Sequence, residues 1–148
     1  MTDGPGRVLA LDLGSVRVGL ALSDPLRLTA QPAGYLARRE LRRSLEPVLT
    51  IIRAQEVGTV VVGRPLLLSG EAGDAARDAE AFAARLRERA PCPVALWDER
   101  LTTVQAERAL LEGDVRRAKR REVIDAAAAA ILLQSWLDRE GQRVSSST

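Results

Sequence analysis

Three acidic positions stand out against apolar surroundings. Asp12 lies inside Leu9-Ala10-Leu11-Asp12-Leu13, Asp98-Glu99 follows Val94 to Trp97, and Asp125 opens the Ala- and Ile-rich run that leads to Gln134. A carboxylate among aliphatic neighbours is costly to bury unless it is paired or holds a metal. Each position also has a plain structural alternative. Asp12 could cap the Gly14 turn or pair with Arg17, Asp98 and Glu99 could start a helix or pair with Arg100, and Asp125 could sit on a solvated helix face. Together the carboxylates suit one chemistry. Phosphodiester hydrolysis needs an activated water and a stabilised leaving oxygen, and clustered carboxylates supply both by holding one or two hard divalent cations, paired ions lying about 3.5–4 Å apart. The chain has no His and one Cys, which leaves zinc ligation and Ser-His or Cys-His catalysis without support. Carboxylate-bound Mg2+ or Mn2+ remains.

Composition narrows the partner. The 148 residues, 46% hydrophobic and 28% charged, allow one sizeable core and exclude wholesale disorder. A single domain over 1–148 is expected, its core spanning about 7–138 with flexible termini. The net charge of +2 permits nucleic-acid binding without requiring it. Aromatic residues make up only 3%, so rows of stacked bases have few platforms and any nucleic-acid contact should lean on phosphates. Arg116, Arg117, Lys119, Arg120 and Arg121 precede the Asp125 helix and could grip phosphates flanking a scissile bond, or could form a solvated loop. The cluster Arg38, Arg39, Arg42 and Arg43 reads as an exposed helix start. Lone Cys92, the absence of a leader pattern and the short apolar runs make the cytoplasm the expected compartment.

The elements that must position these residues follow from periodicity. Arg7 to Leu13 and Arg17 to Ser23 read as strands joined by a tight turn at Gly14-Ser15-Val16, and Thr29 to Leu36 as a third strand whose Pro32 favours an edge. Helical spacing of Leu45, Val48, Leu49 and Ile52 predicts a helix from about Ser44 to Gln55; Pro47 fits its first turn if Ser44 is the N-cap, and kinks it if the helix begins near Arg39. Thr59 to Gly63 is a buried central strand, Asp74 to Ala90 a second helix, and Val94 to Trp97 a further buried strand. Thr102 and Gln105 fit a capping box for a helix to about Glu112. Val123 to Leu137 forms a last helix with Val123, Ile124, Ala127, Ile131 and Leu132 inward, and the tail Gly141 to Thr148 is expected to fray. Strands alternating with helices behind an antiparallel opening imply a mixed sheet with helices on both faces, its chemistry at the carboxyl ends of the parallel strands.

Four segments carry a resemblance: Val8-Leu9-Ala10-Leu11-Asp12-Leu13-Gly14-Ser15-Val16-Arg17-Val18-Gly19-Leu20-Ala21-Leu22-Ser23-Asp24-Pro25, Val61-Val62-Gly63-Arg64-Pro65-Leu66, Asp98-Glu99-Arg100-Leu101-Thr102-Thr103, and Asp125 in the Ala-rich helix. In this order, from about Arg7 to Asp138, they resemble the YqgF/RuvX family. The resemblance implies an α/β, ribonuclease H-like fold with a mixed five-stranded sheet, related to Holliday-junction resolvases of the RuvC type. It implies a metal-dependent nuclease acting in 5′-end maturation of pre-16S rRNA, and thus in ribosome biogenesis, with Holliday-junction resolution as the alternative. By that analogy Asp12, Glu99 and Asp125 are the catalytic and metal-holding acids, with Asp98 an alternative to Glu99, because adjacent residues at a strand end point to opposite faces. Mg2+ or Mn2+ is the implied cofactor. Nucleic acid, RNA favoured over DNA, is the implied partner of a monomer or homodimer without membrane attachment, through Arg17, Arg116, Arg117, Lys119, Arg120 and Arg121. Asp24 matches the motif in a supporting or substrate-side role, and Val16 stands where relatives often carry Lys.

Two readings of other classes compete. Asp12-Leu13-Gly14-Ser15 resembles the first phosphate loop of actin-like ATPases, but the chain lacks a second Asp-containing glycine loop and the length for two such domains. A non-catalytic nucleic-acid-binding ribosome-assembly factor would keep the fold, although it would have no need of all three acids.

Overall fold

The computed structural model describes residues 5–65, 73–99 and 117–146, with the side chains of the last segment described over 126–140. β1 (Arg7–Leu13) and β2 (Arg17–Ser23) form an antiparallel hairpin, to which β3 (Ala30–Ala37) adds beside β2. Gly14 N–H donates to Arg17 O at 2.8 Å to close the turn, and a Cβ on Gly14 would stand 2.7 Å from that same carbonyl. The turn therefore needs glycine. The next loop is clasped by Asp24, whose carboxylate accepts from the backbone N–H groups of Leu26, Leu28 and Thr29. The Thr29 bond leads the causes that hold this carboxyl below the usual Asp value. Its described contacts serve the loop.

α1 (Arg38–Arg43), α2 (Glu46–Ala54), β4 (Val57–Arg64), α3 (Asp74–Arg89), β5 (Val94–Asp98) and α4 (Arg117–Ser146) complete the described elements. Strand order is β3-β2-β1-β4-β5, with β1, β4 and β5 mutually parallel. This is the expected mixed five-stranded sheet, with β3 on an edge as Pro32 requires. α2 begins at Glu46, with Pro47 in its first turn and Ser44 Oγ accepting from Glu46 N–H at 3.1 Å. No kink arises, because Ser44 is extended and ends α1 before α2 starts.

Alternation divides the sheet into two faces. On one, Leu9, Leu11, Val18, Leu20, Val60 and Val62 pack against Leu41 of α1, Val48 and Ile52 of α2, and Phe82 and Leu86 of α3. On the other, Val8, Ala10, Ala21 and Val61 pack against Ala128, Ala129, Leu132, Leu133 and Trp136 of α4, which lies across β1, β2 and β3. Gln134 ties α4 to the start of β3, accepting from Ala30 N–H at 3.0 Å and donating to Leu28 O at 3.2 Å.

Four expectations are corrected. Leu132 is inward and partly buried Ile131 packs against the same core, but Ala127 does not join it while Ala128, Ala129 and Leu133 do; the side chains of Val123 and Ile124 lie outside the described set, and a run of alanines offers no hydropathy contrast from which to read a helix phase. The last helix runs over Arg117–Ser146, so Arg117, Lys119, Arg120 and Arg121 are its first turns and not a preceding loop. β5 is a half-buried edge strand, not a buried one. Arg38 is buried: its guanidinium donates to Gly14 O at 2.9 Å and pairs with Asp78 of α3. The Thr102 to Glu112 helix lies outside the described residues.

Arg38 thus fastens the β1–β2 turn to α3 from the face that carries α1 to α3. Arg38→Ala should destabilise the protein by about 2–3 kcal/mol in urea melts, since it removes one buried charge-assisted bond and strands a carbonyl, the half-exposed Asp78 partner adding little. A change below about 0.5 kcal/mol would show that the turn does not depend on this guanidinium.

Candidate active site

β1 is buried along most of its length, and Asp12, 6% exposed, is its one charged buried residue. Alternation sets its direction. Val8 and Ala10 face α4, so Asp12, two residues further, faces α4 as well, at the carboxyl end of a central parallel strand. Across β2 it pairs with Gly19. On the other side Leu11 pairs with Val62, so the next residue along β4 is Gly63. Asp12 is therefore flanked on its own face by two positions without side chains.

Gly63 shows what occupies the room. A Cβ there would lie 2.8 Å from Glu99 Oε1 and 2.5 Å from Leu132 Cδ1. The Glu99 carboxylate consequently lies over Gly63 on the α4 face, beside the position of Asp12. Asp98, one residue earlier, belongs to the opposite parity with Val94 and Leu96, which pack on the other core. The structure thus brings Glu99, and not Asp98, to the face of Asp12. Trp97 shares that face, and its buried indole N–H has no hydrogen-bond partner among the described residues.

The remaining candidates fall around this centre. Arg17 starts β2 on the same face as Gly19, its guanidinium 5.2 Å from the centroid of the Tyr35 ring. Asp125, Arg117, Lys119, Arg120 and Arg121 lie on α4, their side chains outside the described set, and Arg116 lies outside the described residues. Tyr35 escapes a sequence reading because nothing in the pattern fixes its face. Cys92 packs against the opposite core, where burial pushes its thiol above the ordinary value and makes a nucleophilic thiolate scarce. A shallow cleft between α1 and α3, lined by Arg38, Arg42, Asp78 and Arg85, also opens on the opposite face and plays no part in the acidic site.

Two hard oxygen donors on one face, one nearly buried and one held over bare backbone, suit a divalent cation. The chain has a ribonuclease H-like fold, and its relatives are named as nucleases. It belongs to the RuvX (YqgF) family: the family model, described as Holliday junction resolvase, matches residues 6–139. Relatives named "Putative pre-16S rRNA nuclease" include those of Geobacillus kaustophilus, 49% identical and covering 89% of this chain and 97% of that one, and Pelotomaculum thermopropionicum, 44% identical and covering 92% and 89%. The fold is similar to that of Thermus thermophilus RuvC solved with a Holliday junction substrate, at a TM-score of 0.55, 16% identity and coverage of 92% of this chain and 96% of that one. No helix among the described residues is long and apolar enough to cross a membrane.

The contacts at Gly63 give a direct test. Gly63→Ala should displace the Glu99 carboxylate, destabilise the fold by about 1–3 kcal/mol through overpacking against Leu132, and weaken divalent-cation binding measured by calorimetry. Adding Leu132→Ala should relieve the crowding from α4 but not the collision with Glu99. Wild-type cation affinity in the Gly63→Ala protein would show that the space over Gly63 is not part of the site.

Proposed function

We propose that the chain hydrolyses phosphodiester bonds in the 5′-end maturation of pre-16S rRNA, using Asp12, Glu99 and Asp125 to hold a divalent cation, Mg2+ or Mn2+. One observation carries the reading: Asp12 and the Glu99 carboxylate share one sheet face, the carboxylate lying over Gly63, the position beside Asp12 on β4. Asp125 is assigned by the resemblance and by its place on α4, two turns before Leu132, which touches that same spot. When bound, the cation supplies activation of water and stabilisation of the leaving oxygen. The chain's residues do the rest. Asp12 and Glu99 present hard oxygens from strand ends, Gly63 makes room for the Glu99 carboxylate, and Arg17 lies on the same face to neutralise a neighbouring phosphate. RNA is favoured by the relatives' name. Holliday-junction resolution is the second reading, favoured by the family description and the RuvC-like fold. The cytoplasm suits work on a precursor rRNA, and one ribonuclease H-like domain as monomer or homodimer suffices for it.

The basic first turns of α4 support a polyanionic partner. The amino end of a helix carries partial positive charge, so cations there cost roughly 0.3–1 kcal/mol each. Arg117, Lys119, Arg120 and Arg121 occupy that end, and no acid stands in the first turn. Helix stability does not account for them, whereas binding of phosphates does.

Two experiments test these assignments. Asp12→Asn should lower cleavage of precursor rRNA in Mg2+ or Mn2+ by at least about 100-fold, since losing even a partner behind a metal ligand costs 10–100-fold. Its melting temperature should stay level or rise as like-charge repulsion is removed. A folded variant that cleaves at the wild-type rate would make Asp12 structural. A four-way junction assayed in parallel separates the two substrates. The double change Arg120→Ala, Arg121→Ala should flatten the dependence of log affinity on log salt by about 1.4–1.8, two phosphate contacts' worth, without lowering thermal stability. An unchanged slope would remove α4's basic start from the interface.

A further inference from the structure

We propose that Tyr35 and Arg17 form a platform that stacks one unpaired nucleobase of the substrate strand and holds the adjoining phosphate, next to the acidic centre. The proposal rests on the nuclease reading of Asp12's face and deepens it, naming a strand with an exposed base as the substrate.

A register irregularity puts Tyr35 there. Ala21 pairs with Pro32, but Gly19 pairs with Tyr35, so two steps on β2 face three on β3. Without the extra residue Gly34 would face Gly19, and Tyr35 would turn to the opposite side of the sheet. The irregularity depends on backbone conformation: Gly34 has φ +85, and a side chain added there would meet nothing within 4 Å. Glycine is required at this point for its dihedral, not for space. Bulges commonly re-aim a side chain beside a functional site.

The result is an ordered row on one face, with Tyr35, Gly19 and Asp12 on adjacent strands. Two strand spacings put the ring's strand about 10 Å from that of Asp12, with no side chain of β2 in between. Tyr35 is 40% exposed on an edge strand, so part of its side chain reaches solvent. Arg17, with its guanidinium at cation–π distance from the ring, joins a planar stacking surface to a phosphate-binding charge. A flat apolar ring beside a cation and a phosphodiester-cleaving centre matches an unpaired nucleotide. Bases inside a duplex have their faces covered by neighbours and cannot use it.

Binding is tested with the full chain in EDTA, where no cleavage occurs, by fluorescence anisotropy on single-stranded RNA, single-stranded DNA and a blunt duplex. Tyr35→Ala should weaken binding of single strands by about tenfold, in the range of one stacked base, and leave duplex binding unchanged. Tyr35→Phe, which keeps the ring, should match wild type. A strand carrying 2-aminopurine should be quenched by wild type and Tyr35→Phe but not by Tyr35→Ala. The RNA and DNA arms show which single strand uses the platform. Equal loss on duplex and single strands, no loss on either, or a Phe variant as weak as Ala would overturn the proposal. Should Tyr35→Ala melt early, Tyr35→Leu retains the apolar contact without the π face and reads out the same difference. Since cleavage is not measured, failure of the Asp12 assignment and failure of this platform give different results.

Discussion

A carboxylate on a central strand that is otherwise buried is the constraint from which the site's arrangement follows. Asp12 cannot leave β1's α4 face without breaking the two-residue alternation that buries Val8 and Ala10 on that side. Its charge must then be met by dipoles, hydrogen bonds or cations that reach the same spot. Large side chains on the adjacent strands would fill that space. The positions beside it on β2 and β4 are Gly19 and Gly63, and α4 lies over this face with Ala128, Ala129, Leu132 and Leu133 buried. At Gly63 the missing side chain makes room for the Glu99 carboxylate, which a larger residue would displace.

The two faces consequently do different work. Leu, Ile, Val and Phe from α1, α2 and α3 fill the larger core on one side and supply most of the buried aliphatic volume. On the other side packing is lighter, and Asp12 and Glu99 lie where the parallel strands end. Arg38 connects the two across the β1–β2 turn, since its bonds to Gly14 and Asp78 fix the hairpin tip, after which Arg17 begins β2. Stability of one face thereby sets the geometry of the other.

Much of this was legible in the residues because period and punctuation agree along the first half of the chain. Glycine at 14 and the alternation through β1 and β2 each have one physical meaning, and the strands fall within two residues of expectation. What was not legible had no local signal. Asp98 and Glu99 are equally acidic, and only the register of β5 against β4 tells which faces α4. The alanine run of α4 shows no contrast between its sides. Tyr35 sits in a strand whose bulge depends on a glycine dihedral and on pairing with β2, so simple counting along the chain would put the ring on the wrong face. Arg38 looks like its exposed neighbours Arg39 and Arg42 until α3 packs beside it.

The charge layout follows the same logic at longer range. A cluster of acids should repel a polyanion, and a net charge of +2 is too small to overcome this through the whole-molecule field. Attraction therefore has to be local. Arg17 stands on the β2 side of the acidic centre, and the basic first turns of α4 belong to the helix that crosses the same face. Cations set around a central pair of acids would draw phosphates to the surroundings of the proposed site, and the acids would suit a hard divalent cation at its centre. A uniformly basic surface would bind the strand more tightly but would leave no oxygen donors at the scissile phosphate. A modest overall charge combined with steep local differences is what a hydrolase of polyanions needs, and it is the sheet register that brings Asp12, Glu99 and Arg17 to one face.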